Sequence, residues 1–226
     1  MSLVIAIDGP AASGKSTVAR LVAARLGGVY INTGDMYRTI TWIALGRGLD
    51  PAAQPDAVAA LLPALDLRYR LDAERRPVLW LGDAPVPQEK IRAPEIAGSV
   101  SQVAKIAAVR EWMLERQRAA REVGTLVMEG RDIGTVVFPD TPHKFFVTAS
   151  PEVRARRRLA QAGETMAGAT VESVAAEIAE RDRIDSTRAV APLKPAADAR
   201  IVNTDSLTAE QVADLVADSV RKTRRA

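Results

Sequence analysis

The sequence predicts an α/β protein in which a parallel sheet is flanked by helices and interrupted by a small antiparallel insert. Three observations predict it. Strand-like and helix-like patterns alternate along most of the chain, which is the signature of a parallel sheet covered by helices. The first apolar strand runs directly into Gly9-Pro10-Ala11-Ala12-Ser13-Gly14-Lys15-Ser16 and then a helix. The alternation breaks between about residues 65 and 87, where two short strand patterns are followed by a Gly82-Asp83 turn.

In chain order, Leu3–Ile7 is apolar throughout, as a strand buried on both faces must be. Residues 15–26 place Val18, Leu21, Val22 and Leu26 on one helical face, and Gly27-Gly28 supplies the stop. Val29–Asn32 reads as the second strand and about 35–45 as the second helix. Leu67–Leu71 and Val78–Leu81 form the insert, on the edge of the main sheet. Ile96 to Ala120 reads as one or two helices with Ile106, Val109, Trp112 and Met113 as a buried stripe. Thr125–Glu129 and His143–Thr148 are further strands, and Ser150-Pro151 signals a helix start. A helix over 171–185, a strand at Arg200–Val202 and a closing helix over 208–221 complete the chain.

The loop between the first strand and helix matches G-x-x-x-x-G-K-S/T, which makes the sheet one of the P-loop NTPase type. Such a loop curls so that Gly9, Pro10, Ala11, Ala12, Ser13 and Gly14 surround the phosphates of a nucleoside triphosphate, with available backbone N–H groups pointing inward. Lys15 adds a mobile positive charge, Ser16 a hydroxyl for Mg²⁺, and Thr17 continues the helix whose positive dipole end faces the anion. Ala12 is tolerable there if its φ stays negative.

The 226 residues are 47% hydrophobic and 26% charged, enough for a full core and one domain with an insertion or two. No cysteine is present, which excludes disulfides and Cys-based zinc sites. No apolar run is long enough for a membrane span, and a cytoplasmic location is expected. A net charge of +3 suits an anionic partner. Aromatic residues at 4% leave little for base-stacking platforms, which argues against nucleic acid. The terminal run Arg221-Lys222-Thr223-Arg224-Arg225 is expected to be a solvated helix end.

Four further constellations carry charge to places where chemistry could use it. Thr33-Gly34-Asp35-Met36-Tyr37-Arg38 follows the second strand, and turns at the carboxyl ends of parallel strands face the ligand crevice. Arg38 could reach an acceptor phosphate there; it could equally be a surface charge, with Thr33 or Asp35 capping a helix. Glu129-Gly130-Arg131-Asp132 ends another buried strand, where charge is costly unless it has partners or work. Glu129 could also stand near Mg²⁺. If the helix through residue 185 continues, Arg181, Asp185 and Arg188 share a face, suited to a sugar hydroxyl and a phosphate or to an exposed salt-bridged surface. Arg154 and Arg158, within the basic run 154–158, could belong to an arginine-bearing flap or to a solvated helix.

Together with Ser101-Gln102-Val103-Ala104, Gly130 through Pro139, and Pro192-Leu193, these segments closely resemble the bacterial cytidylate kinases, a branch of the nucleoside monophosphate kinase family. The resemblance spans nearly the whole chain. It implies transfer of the γ-phosphoryl group of ATP to CMP or dCMP with Mg²⁺, by a single domain over 1–226. That domain would have a core (1–32, 121–150, 189–226), an enlarged acceptor-binding region (33–120, insert about 62–100) and a helical lid (about 151–188). It implies that Ser101, Arg110 and Asp132 contact cytosine with Arg188 nearby. Arg181 and Asp185 would contact the sugar, and Thr33, Arg38 and Arg131 the acceptor phosphate. Arg154 and Arg158 would be lid arginines, one against the adenine and one at the transferring phosphate. Lys15, Arg131 and Arg158 are thus the expected catalytic set, in a protein expected to be monomeric.

Asn32, Asp35 and Glu129 depart from that family's usual aspartate, alanine and aspartate, which bears on the fine geometry of phosphate and metal binding. A P-loop kinase for another monophosphate such as UMP is the nearest alternative, and the Ser101, Arg110 and Asp132 set argues against it. A nucleotide-dependent switch would need a G-x-x-G and an N-K-x-D that the sequence lacks. His143 is left as a strand-edge residue.

Overall fold

A computed structural model describes residues 3–161 and 165–223. Arg224 and Arg225 of the terminal basic run lie outside the described residues. The elements run β1 (Val4–Asp8), α1 (Lys15–Leu26), β2 (Val29–Asn32), α2 (Thr33–Gly46), α3 (Pro55–Ala59), β3 (Leu67–Leu71), β4 (Pro77–Leu81), β5 (Ala84–Pro85), α4 (Gln88–Ile91), α5 (Pro94–Lys105) and α6 (Ala107–Ala119). They continue with β6 (Leu126–Gly130), a π-helical turn at Ile133–Val137, β7 (Lys144–Thr148), α7 (Pro151–Leu159), α8 (Val171–Thr187), β8 (Arg200–Asn203) and α9 (Ala209–Thr223).

Among the described residues, the main sheet has five strands in the order β2-β6-β1-β7-β8, and every pairing is parallel. Register places Asp8 beside Gly130 and Asn32 beside Glu129. All the loops that follow the strands therefore emerge on one edge, where open parallel sheets bind their ligands. One face is buried under α1 and α9, whose Val18, Val22, Val212 and Val216 meet Ile5, Ile7 and Val147. The other face packs Val4, Ala6 and Met128 against Ile133 and Val137. No described helix is long and apolar enough to cross a membrane.

The parallel sheet, the separate antiparallel strands and the bounds of α1 and β2 agree with the sequence reading. Differences occur where tertiary contacts decide. The insert, expected as two strands, has a third in β5, and the Tyr69 hydroxyl ties it to the β2 edge by donating to the Asn32 carbonyl (2.7 Å). Extended backbone at Ile106 divides the 96–120 segment into two helices, with Val109 and Met113 fully buried and Trp112 half-buried beside them. The cap of α2 is Asn32, whose Oδ1 accepts from the Gly34 N–H (2.9 Å), not Thr33 or Asp35. The helix carrying Arg181 and Asp185 ends at Thr187, so Arg188 stands just past it in extended backbone. His143 is buried before β7, and its carbonyl accepts from the Ala6 N–H.

Candidate functional site

A cleft of about 1030 Å³ runs along the carboxyl edge of the main sheet. Residues 11–18 line one wall, while Thr33, Arg38, Ser101, Arg110, Arg131, Asp132, Arg158, Arg181, Asp185 and Arg188 line the remainder. Most of the residues singled out in the sequence therefore share one space. Gly9 and Pro10 underlie it. A Cβ on Gly9 would stand 2.0 Å from the Val147 carbonyl oxygen, so only glycine lets the loop pass β7. Gly14 adopts φ 89°, and Ala12 takes φ 57°, so the condition for an unstrained alanine is not met and the residue costs about 1–2 kcal/mol.

Lys15 is buried, and its Nζ donates to the Pro10 carbonyl (2.5 Å). Burial, reinforced by the Arg131 charge, lowers its pKa to about 7. Behind it the Tyr30 hydroxyl donates to Glu129 Oε1 (2.6 Å). Burial and the Glu129 charge raise the Tyr30 pKa, so the phenol remains a donor. Glu129 Oε2 is buried with no hydrogen-bond partner among the described residues. Tyr30 was not singled out in the sequence, because a tyrosine in a strand reads as packing.

Across the cleft the Thr33 hydroxyl donates to the Glu129 carbonyl (2.8 Å), and Arg38 Nη1 donates to the Ile91 carbonyl (3.0 Å). Burial, with Arg92 adding repulsion, lowers the Arg38 pKa to about 10. Asp35 pairs with Arg92 (2.7 Å); burial nevertheless raises its pKa to about 6. Deeper in, Arg110 makes a short charge-assisted bond to Asp132 and donates its other arm to the Ala104 carbonyl. Arg188, despite leaving the helix, stands 3.9 Å from Asp132 and 3.6 Å from Asp185. Arg131 Nε donates to Asp185 Oδ2 (3.0 Å). Burial would raise the Asp185 pKa, but Arg131, Arg188 and Arg181 outweigh it and hold the carboxyl below its usual range. Ser101 is buried on α5 beside this group.

Arg158 and Arg181 face the cleft from α7 and α8. Burial lowers their pKa values to about 9 and about 10, and Arg38 and Arg131 repel both. Arg154 behaves differently. It is absent from the cleft lining and donates to the Ala149 and Ala11 carbonyls while pairing with Asp182, which itself accepts from the Ala11 N–H. It braces the phosphate loop from behind. Arg157, not selected in the sequence, takes the cleft position, donating to the Ser13 carbonyl (3.3 Å), Thr204 Oγ1 (2.8 Å) and the Thr204 carbonyl (2.8 Å). Its one sequence signal was membership of the 154–158 run.

A phosphate-binding loop at the head of a helix, facing mutually repelling arginines across one cleft, defines a P-loop phosphotransferase. The profile of the family described as "Cytidylate kinase" matches residues 5–222. The chain is 47% identical over 221 residues to a cytidylate kinase of Pelotomaculum thermopropionicum, covering 98% of this chain and 97% of that one. It is 46% identical to one of Limosilactobacillus fermentum, covering 97% and 96%. The chain belongs to the cytidylate kinase family. It also matches part of a bifunctional pantoate ligase/cytidylate kinase of Synechococcus sp. at 46% identity, covering 94% of this chain and 39% of that protein. Among solved structures, an uncharacterized protein from Eubacterium ventriosum shares the fold at 11% identity with TM-score 0.52, covering 97% and 98%.

Proposed function

We propose that the protein transfers the γ-phosphoryl group of ATP to CMP and dCMP, giving CDP or dCDP and ADP. The observation that carries this reading is the placement of the 11–18 loop and the Arg110–Asp132 pair in one cleft. One end suits a triphosphate. The other offers a fixed carboxylate beside a guanidinium, which suits cytosine, whose exocyclic amine donates to Asp132. Uracil would set a carbonyl oxygen against that carboxylate, leaving two acceptors facing each other.

An acceptor-phosphate oxygen attacks the γ-phosphorus, and the bond to the β,γ-bridging oxygen breaks as ADP leaves. Lys15, Arg131 and Arg158 neutralise charge on the transferring group, while Thr33 and Arg38 hold the acceptor phosphate. Ser101, Arg110 and Asp132 read the base; Arg181, Asp185 and Arg188 orient the sugar and close the charge balance. The acceptor phosphate is itself the nucleophile, so no general base is required. Arg157, rather than Arg154, is positioned for the donor's far end. Residues 151–188 form the lid, 33–120 the acceptor region and the remainder the core.

Magnesium fits this chain. The Ser16 hydroxyl and the unpartnered Glu129 Oε2 are hard oxygen groups near the loop, and the described residues include no cluster of three acidic or histidine side chains that would hold a metal without nucleotide. When bound it offsets phosphate charge. The same reading has the enzyme act in the cytoplasm as a monomer on free nucleotides, without nucleic-acid or membrane partners. The test is ADP release from Mg·ATP with CMP, dCMP, UMP, AMP, GMP and TMP. Turnover dominated by CMP and dCMP is expected; dominance of UMP would instead assign the alternative acceptor.

A further inference from the structure

Asp8 does not line the cleft, yet it is buried at the root of the phosphate loop and has both carboxylate oxygens occupied. Oδ1 accepts from the Ile133 N–H and Oδ2 from the Gly134 N–H, each at 2.8 Å. These are the first N–H groups of the π-helical turn, where no preceding turn supplies a carbonyl. The residue just before them is Asp132. Its own carbonyl accepts from the N–H groups of Val136 (2.9 Å) and Val137 (3.1 Å). The peptide units on either side of the Asp132–Ile133 junction are therefore tied down.

The outer end of the same turn is gripped by Arg118 of α6, whose Nε and Nη2 donate to the Val137 and Val136 carbonyls, each at 3.0 Å. The turn has little room to shift: a Cβ on Gly134 would stand 3.1 Å from Lys144 Cγ and 3.4 Å from Asp8 Oδ2. Single π-type turns are rare and concentrate at functional sites, since their hydrogen-bond pattern needs outside support. A carboxylate accepting two N–H groups and a guanidinium donating to two carbonyls are strong forms of such support.

We infer that Asp8 and Arg118 are positioning residues for base recognition, clamping the turn so that the Asp132 carboxylate is fixed although neither clamp touches a nucleotide. The inference rests on the cytosine-reading role proposed for Asp132. It makes selection of the acceptor base depend on a residue adjoining the donor loop, with 124 positions of chain separating Asp8 from Asp132.

The test is steady-state kinetics with CMP and UMP at saturating Mg·ATP, and with ATP at saturating CMP, for the wild type, Asp8→Asn and Arg118→Met. The asparagine keeps the volume but turns an NH₂ against one of the two N–H groups. For Asp8→Asn the KM for CMP rises about tenfold and the CMP-to-UMP ratio of kcat/KM falls about as much, while the KM for ATP changes by no more than about twofold. Arg118→Met shifts the same two quantities by about threefold. Thermal melting and circular dichroism establish folding, and if Asp8→Asn does not fold, Arg118→Met alone decides. A cytosine preference and CMP KM that stay at wild-type values in the folded variants overturn the inference. A wild type without cytosine preference overturns the reading of Asp132, and this inference with it.

Discussion

The two walls of the cleft prepare for negative charge by opposite means. The donor wall uses backbone: residues 9–14 turn through left-handed and other positive-φ conformations so that N–H dipoles face the anion, and they add one lysine whose charge burial has made weak. The wall proposed for the acceptor and lid uses side chains: the pKa values of Arg38, Arg158 and Arg181 have all been lowered by burial and by one another or by Arg131. A dipole wall is neutral and costs little when empty. A guanidinium wall stores repulsion until a phosphate arrives, and its function and its stability therefore oppose each other.

That contrast is most severely tested at Lys15, the single charge of the donor wall. Lys15→Met is expected to lower kcat by about 10²–10³-fold while leaving the fold intact in thermal melting, because dipoles alone cannot follow charge onto the transferring group. A loss below tenfold would break the comparison. Next comes Arg181→Met on the opposite wall. Its kcat/KM for CMP is expected to fall about tenfold or more, yet the Tm to stay level or rise by about 1–3 °C, since Arg158 and Arg38 lose a repelling neighbour. A large drop in Tm would mean that the wall is not under repulsion.

Proton linkage sharpens the donor side. Lys15 has a pKa of about 7 without nucleotide, and the triphosphate favours its charged form. At pH 8 binding should therefore take up close to one proton, and ATP affinity should weaken as pH rises from about 7 to 9. Calorimetry in buffers of different ionisation enthalpy measures this, with Lys15→Met as the control that abolishes it. The smallest effect is at Ala12. Ala12→Gly removes the penalty of φ 57° and offsets part of it by backbone entropy, raising Tm by about 1–3 °C with little change in kcat.

The donor wall was legible in the sequence because its devices are local. Glycines, one lysine and one serine at fixed spacing, between an apolar strand and an amphipathic helix, set dihedrals and N–H directions within eight residues. The opposite wall was legible only as a set of charged residues near strand ends. Which arginine of the 154–158 run faces the cleft depends on how α7 rotates about its axis, and that is set by Ala155 packing with Val174, Ile178 and Ala11. The packing turns Arg154 onto the back of the loop and Arg157 toward Ser13 and Thr204, although the family resemblance had singled out Arg154 and Arg158.

By itself the sequence determined the parallel α/β class, the phosphate loop, the α1 and β2 boundaries and the residues that carry the family resemblance, all of which depend on short-range periodicity, chain stereochemistry or identity in line. Tertiary structure alone decided that Tyr69 ties the insert to Asn32, that Tyr30 donates to Glu129, that Asp182 braces Ala11, and that Asp8 holds the turn beside Asp132. Each of these joins groups from separate segments. Such a partnership is set by which buried polar group has no nearer way to satisfy its hydrogen bonds, and that becomes defined only once the sheet has brought the strand ends together.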